Sequence, residues 1–125
     1  MLISCSNDKS IKLWKMPDSL SNDSIETIIP KFYINNLHSD YVKSLAFSEK
    51  TGSFFSAGLD GKILMMKLDE KTKASKDIVI QQEFYALGTH NSSIYSIDCD
   101  LGGDLLLASI YENVNFFIFI LLYFF

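Results

Sequence analysis

The sequence predicts an all-β protein, an incomplete β-propeller of about two and a half blades of antiparallel strands. Three observations lead there. A displacement of 52 positions carries His38 onto His90, Val42 onto Ile94, Ser44 onto Ser96, Leu45 onto Ile97 and Phe54 onto Leu106. The same step carries Ser4, Asp8 and Trp14 onto Ser56, Asp60 and Met66. The repeated segments are short, alternate in hydropathy and are joined by tight-turn signals, of which Asp60-Gly61 is the strongest because such turns need positive φ. With 125 residues and 48% hydrophobic side chains the chain can bury a core, but a closed propeller needs at least four blades. The chain is therefore expected to be a fragment of a longer product, or a truncated or mis-assigned reading frame.

The elements follow in order. Residues 2–6 and 10–14 read as a hairpin about a turn at 7–9, with Ile11 and Leu13 on one face. A polar loop at 16–28, opened by Pro17, leads to an outer strand at 32–36. Residues 41–47, 53–57 and 62–67 are strands separated by turns at 49–52 and 59–61. The charged run 69–77 is a loop, and 77–85 a further outer strand. The third copy runs through 93–98, a turn at 101–104 and 105–110. There the pattern breaks: Glu112 stands where the earlier copies have Asp8 and Asp60, and residues 116–125 are continuously apolar. We therefore expect two regions, a partial propeller over 1–110 and an apolar non-repeat tail over 111–125 that lacks the third strand. Ten apolar residues are too few to cross a bilayer as a helix, which takes about 20. The tail reads as foreign to the domain, such as read-through, with a truncated anchor as the alternative; a membrane partner is not expected despite it, and it is an aggregation hazard.

Composition narrows the function. The net charge is −4 and all eleven basic residues are lysines, so no arginine fork is present for phosphate or guanine, which argues against nucleic acid. Cys5 and Cys99 stand apart in apolar segments and read as free, buried thiols of an intracellular protein, in the cytoplasm or nucleus. Asn22-Asp-Ser24 and Asn91-Ser-Ser93 match the glycosylation sequon by chance, since nothing resembling a signal peptide precedes them. No phosphate-binding glycine loop occurs, and His38 and His90 fall on separate blades without convergent ligands, so no cofactor and no metal are expected.

The repeated polar residues are expected to form a structural network: Ser4, Asp8 and Trp14 in the first copy, His38, Ser56 and Asp60 in the second, and His90 opening the third. The imidazole would bond the Asp60 carboxylate on one side and the Ser56 hydroxyl on the other. The Trp14 indole would donate to Ser4, and Met66 at the tryptophan position cannot donate. A Ser, a His and an Asp invite an enzyme reading, but repetition along the chain argues for a structural role and against catalysis.

At these residues the chain resembles the WD-repeat family. The run Leu2-Ile-Ser-Cys-Ser-Asn-Asp-Lys-Ser-Ile-Lys-Leu-Trp14 is similar to the second half of a repeat, His38 through Met66 to nearly a full one, and His90 through Ile110 to the first half of another. The stretches His38-Ser-Asp-Tyr-Val-Lys-Ser-Leu-Ala46, Ser56-Ala-Gly-Leu-Asp60 and Asn91-Ser-Ser-Ile-Tyr-Ser96 resemble, within that family, the cofactors that bind and activate ubiquitin-specific proteases. The resemblance implies a noncatalytic protein-binding scaffold whose partner is a ubiquitin-specific protease, with ubiquitin as a further candidate. On that basis Tyr41, Lys43, Asp60 and Tyr95 are the candidate partner surface. The alternatives are a WD-repeat scaffold of another intracellular complex, or a nonfunctional fragment.

Overall fold

The computed structural model describes residues 2–14, 30–68, 78–85, 92–100, 105–112 and 115–122. Along the chain these form β1 (Leu2–Cys5), β2 (Ile11–Trp14), β3 (Pro30–Ile34), β4 (Val42–Ser48), β5 (Ser53–Gly58), β6 (Lys62–Leu68), β7 (Ile78–Tyr85), β8 (Ser93–Cys99), β9 (Leu105–Glu112) and β10 (Asn115–Leu122). They build three antiparallel sheets in the orders β1-β2-β3, β4-β5-β6-β7 and β8-β9-β10, which are partial propeller blades. The expected loops at 16–28 and 69–77, the turn at 101–104 and His90 lie outside the described residues.

The repeat is visible in the register. Cys5 pairs with Ile11 and Leu2 with Trp14; 52 positions on, Ala57 pairs with Ile63 and Phe54 with Met66. The hairpins β4-β5 and β8-β9 match in the same way, Ser44 against Ala57 and Ser96 against Ser109. Even the irregularity is copied, since both carry a bulge, between Val42 and Ser44 and between Ile94 and Ser96. The turns follow suit. Gly61 has φ 76° and its counterpart Lys9 has φ 69°, a left-handed backbone that glycine adopts without steric cost and lysine does not.

Packing explains why the middle sheet is apolar on both faces. Phe55, Ala57, Ile63 and Met65 face the third sheet and join Ile94, Ile97, Leu106, Ala108 and Ile110 in one core. Phe54, Leu64 and Met66 point the other way, with Val42, onto Ile11 and Leu13 of the first sheet. Every residue of β5 is buried for that reason, whereas β8 keeps one covered face and leaves Tyr95, Ser96 and Asp98 exposed. Small side chains let the sheets approach. The Ser44 hydroxyl donates to the Ile97 carbonyl at 3.4 Å and accepts the Ile97 N–H at 3.1 Å, and the Cys99 thiol donates to the Phe47 carbonyl at 3.0 Å.

One expectation is corrected here. The third copy does not lack its third strand: Asn115–Leu122 pairs along the whole of β9, from Asn115 on Glu112 to Leu122 on Leu105. The register differs from the earlier hairpins. The repeat would place Asn115 opposite Ser109, but Ser109 pairs with Ile118, a shift of three residues. β9 itself continues past residue 110 to Glu112, so the sheet runs across the boundary expected between the repeats and the tail. The outer strand expected at 32–36 is observed two residues earlier, with Pro30, opposite Trp14, opening it as the outermost strand of its sheet among the described residues.

Candidate functional site

Of the groups singled out by the repeat, Trp14 pairs with Leu2 at the far end of its hairpin, whereas Asp8, His38 and Asp60 lie at the end of the sheets that carries the β1-β2 and β5-β6 turns and the starts of β4 and β8. Backbone and side-chain bonds run across this end from sheet to sheet. Val42 N–H donates to the Ser6 carbonyl at 3.2 Å and the Ser93 hydroxyl to the Leu59 carbonyl at 3.1 Å, while within the middle sheet Leu59 N–H donates to the Tyr41 carbonyl at 2.9 Å.

His38 is the centre of this end and is 1% exposed. Its Nδ1 lies 3.0 Å from both carboxylate oxygens of Asp60, and its Nε2 lies 2.8 Å from the Ser56 hydroxyl. With Asp60 ionised, the Nδ1–H donates to the carboxylate, and Nε2 on the other side of the ring pairs with the Ser56 hydroxyl. The carboxylate also accepts the N–H of Ser39 at 2.9 Å and of Lys62 at 3.1 Å. Burial pushes the Asp60 pKa up. The hydrogen bond and charge of His38, with the two backbone N–H groups, outweigh it and hold the carboxyl below its usual value. One aspartate thus ties the loop entering β4 to the turn entering β6, while the imidazole reaches the middle of β5.

The order Ser56–His38–Asp60 is that of a nucleophile, a base and an orienting carboxylate. Chemistry would require a carbonyl carbon to reach the serine oxygen, and Ser56 is 0% exposed. The arrangement is closed to substrate and acts as a clamp.

In the first copy the Trp14 Nε1–H donates to the Ser4 hydroxyl at 2.9 Å. Asp8 accepts the Ser10 N–H at 2.9 Å, and its own N–H donates to the Ser6 hydroxyl at 3.2 Å. The bonds from Ser10 hold the Asp8 carboxyl below its usual value. Among the described residues no hydrogen bond joins Asp8 to the Ser4–Trp14 pair, so this copy has two small groups in place of one network. In the second copy Met66 replaces the tryptophan and is 0% exposed, and Ser56 bonds His38.

Cys5 and Cys99 are free thiols, but each is half-buried where full burial was expected. Burial raises both pKa values, and for Cys99 the neighbouring Asp98 and Asp100 carboxylates add to the rise, so both remain protonated near neutral pH. Among the described residues no group of three His, Cys, Asp or Glu side chains is placed to hold a metal ion, and no helix is long and apolar enough to cross a membrane.

The candidate partner surface divides. Tyr41 is 44% and Tyr95 42% exposed, and Lys43 is exposed with its ammonium 3.4 Å from the Asn7 side-chain oxygen. Lys43 and Tyr95 are the extra residues of the two bulges, which turn them out of the ladder at equivalent places on consecutive sheets. Asp60 does not belong with them. Its side chain is 3% exposed and its oxygens are taken by His38, Ser39 and Lys62. Sequence reasoning missed Tyr111, 36% exposed, whose ring meets that of Tyr95 edge-on with centroids 6.2 Å apart. The signal was available: Tyr111 falls on the outward alternation of 105–111, opposite the positions of Leu106, Ala108 and Ile110.

Comparison with known proteins agrees with this architecture. The WD40 family model (WD domain, G-beta repeat) matches residues 1–15 and 32–65. The chain is also similar to a protein of Coccidioides immitis (strain RS) described as "Probable cytosolic iron-sulfur protein assembly protein 1", with 32% identity over 79 residues. That alignment covers 51% of this chain but 17% of the other protein, so the chain spans only a small part of its relative's length. Over the residues that the family model matches, the chain is similar to WD40 repeats, and the shared register of successive hairpins and the blade-like sheets are in keeping with that similarity.

Proposed function

We propose that this chain is part of a noncatalytic protein-binding scaffold that, in its full-length form, binds and activates a ubiquitin-specific protease. The observation that carries the reading is the exposure of Tyr41, Lys43 and Tyr95, the last two set on equivalent bulges of consecutive sheets. These residues fall within the stretches that resemble activators of such proteases. Aromatic side chains on a rigid frame are the usual anchors of protein interfaces, because little conformational entropy is lost on binding. Activation without a nucleophile needs only that the scaffold bind the productive conformation of the enzyme more tightly than the idle one.

The test is titration of a ubiquitin-specific protease catalytic domain with this chain by calorimetry, using Tyr41→Ala and Tyr95→Ala as probes. Each substitution is expected to weaken binding about tenfold while leaving urea stability within about 0.5 kcal/mol. Undiminished binding by the Tyr41→Ala, Tyr95→Ala double variant would overturn this surface, and no binding by the parent chain would overturn the partner. A second reading follows from the similarity to the iron-sulfur assembly protein, namely a WD-repeat scaffold serving that kind of complex. A protein target from iron-sulfur assembly that binds the chain and loses affinity with the same two substitutions would favour it.

A further inference from the structure

Gly58 ends β5 with its Cα opposite Val42, at the bulge that carries Lys43. A β-carbon on Gly58 would collide with the Tyr41 carbonyl oxygen, and would lie 3.2 Å from the Tyr41 carbonyl carbon and 3.3 Å from the Val42 Cα. All three are backbone atoms, so no side-chain rotation makes room. Unlike Gly52 and Gly61, Gly58 has no positive φ, so close approach and not backbone conformation calls for glycine here. The space is used. The Tyr41 carbonyl, seated over the bare Cα, accepts the Leu59 N–H at 2.9 Å. The Tyr41 N–H donates to Asp40 Oδ1 at 2.7 Å, and the next N–H, of Val42, is held by the Ser6 carbonyl. The tyrosine backbone is thus tied on every side, while the residue as a whole is 44% exposed.

The third copy shows the alternative. Ile110 takes the place of Gly58, paired with Ile94 as Gly58 is with Val42, and is fully buried. There the position of Tyr41 is held by the half-buried Ser93, whose hydroxyl turns back to the Leu59 carbonyl. The sheet accepts a side chain at this rung, and the copy that has one presents no aromatic ring at the strand entry.

We infer, taking Tyr41 as part of the partner surface proposed above, that Gly58 is a positioning residue for that surface. Its bare Cα seats the Tyr41 backbone and so fixes the direction in which the ring is presented. Gly58 itself touches no partner. An anchor already held in its docking direction loses less conformational entropy on binding. Gly58→Ala has to lift the Tyr41 peptide off β5 and break the bond from Leu59.

The test is made first on the free chain, labelled with 3-fluorotyrosine and followed by fluorine NMR, with the Tyr41 line assigned by Tyr41→Phe. Gly58→Ala is expected to shift or broaden that line and to speed exchange of the Leu59 amide about tenfold. Gly52→Ala is the control. At φ 65° with open space around it, an added β-carbon strains only the local backbone, so the urea midpoint falls while Tyr41 stays put. An unmoved Tyr41 line with unchanged Leu59 exchange in Gly58→Ala, or the same changes in Gly52→Ala, would overturn the inference. Loss of cooperative unfolding in Gly58→Ala would also overturn it, by making Gly58 a requirement of the fold and not of one ring. In the protease titration, Gly58→Ala should weaken binding about as much as Tyr41→Ala and add nothing to it in the double variant. Full additivity would contradict the positioning role. Absence of binding by the parent chain would count against the partner alone, because the fluorine spectrum needs no partner.

Discussion

Asp60→Ala is expected to cost about 3 kcal/mol, because it removes the acceptor shared by His38, Ser39 and Lys62 and strands a buried imidazole. Urea denaturation at neutral pH measures it, and a loss below about 0.5 kcal/mol would show that the clamp contributes nothing. The same carboxyl gives the fold a defined acid response. Its pKa is lower in the folded chain than in the unfolded one, so its contribution is fully present above the unfolded value of about 4. It fades as pH falls through the lower folded value. Asp60→Asn keeps the shape without the charge and should flatten the acid limb of the stability curve. An acid limb as steep as that of the parent would assign the effect to other carboxylates.

Phe55→Ala is expected to be costlier still, about 4 kcal/mol, since Phe55 is 2% exposed in the core shared by the middle and third sheets. Against a typical domain stability of about 5–15 kcal/mol, that is enough to leave much of the chain unfolded at 37 °C. Phe47→Ala is the control. The same side chain is removed from a site 53% exposed, and the loss should stay below about 1 kcal/mol. Equal losses at the two positions would mean that the sheets do not pack face to face.

These effects trace back to features that differ in how plainly the sequence shows them. The strands of the middle sheet were legible because their signals agree. Asp60-Gly61 sets the turn, the short segment 53–57 between two turn signals reads as the central strand, and the 52-residue repeat fixes their order. The His38–Asp60 contact spans 22 positions and was legible only because its parts recur. The β10 strand was not legible. A continuous apolar run has no period of two, so nothing in residues 116–125 distinguishes a sheet strand from an anchor or a foreign tail. Its three-residue register shift also breaks the repeat that exposed the other hairpins. Asp60 illustrates a different limit. The resemblance placed it on the partner surface, but a carboxylate that accepts from an imidazole and two backbone N–H groups has little left to offer a partner. Tyr111 was overlooked because it follows the last repeated position, although its alternation with Ile110 points it outward.

The central claim is that the middle sheet is locked between two others and makes a rigid frame for an interaction surface. Amide hydrogen exchange tests it most directly. The account predicts that the amides of Phe54, Phe55, Ser56 and Ala57 exchange slowest in the chain and by the same cooperative opening, with those of the β1 edge exchanging far faster. Exchange of β5 as fast as that of β1 would contradict it, because a strand flanked on both edges and both faces has no local route to solvent.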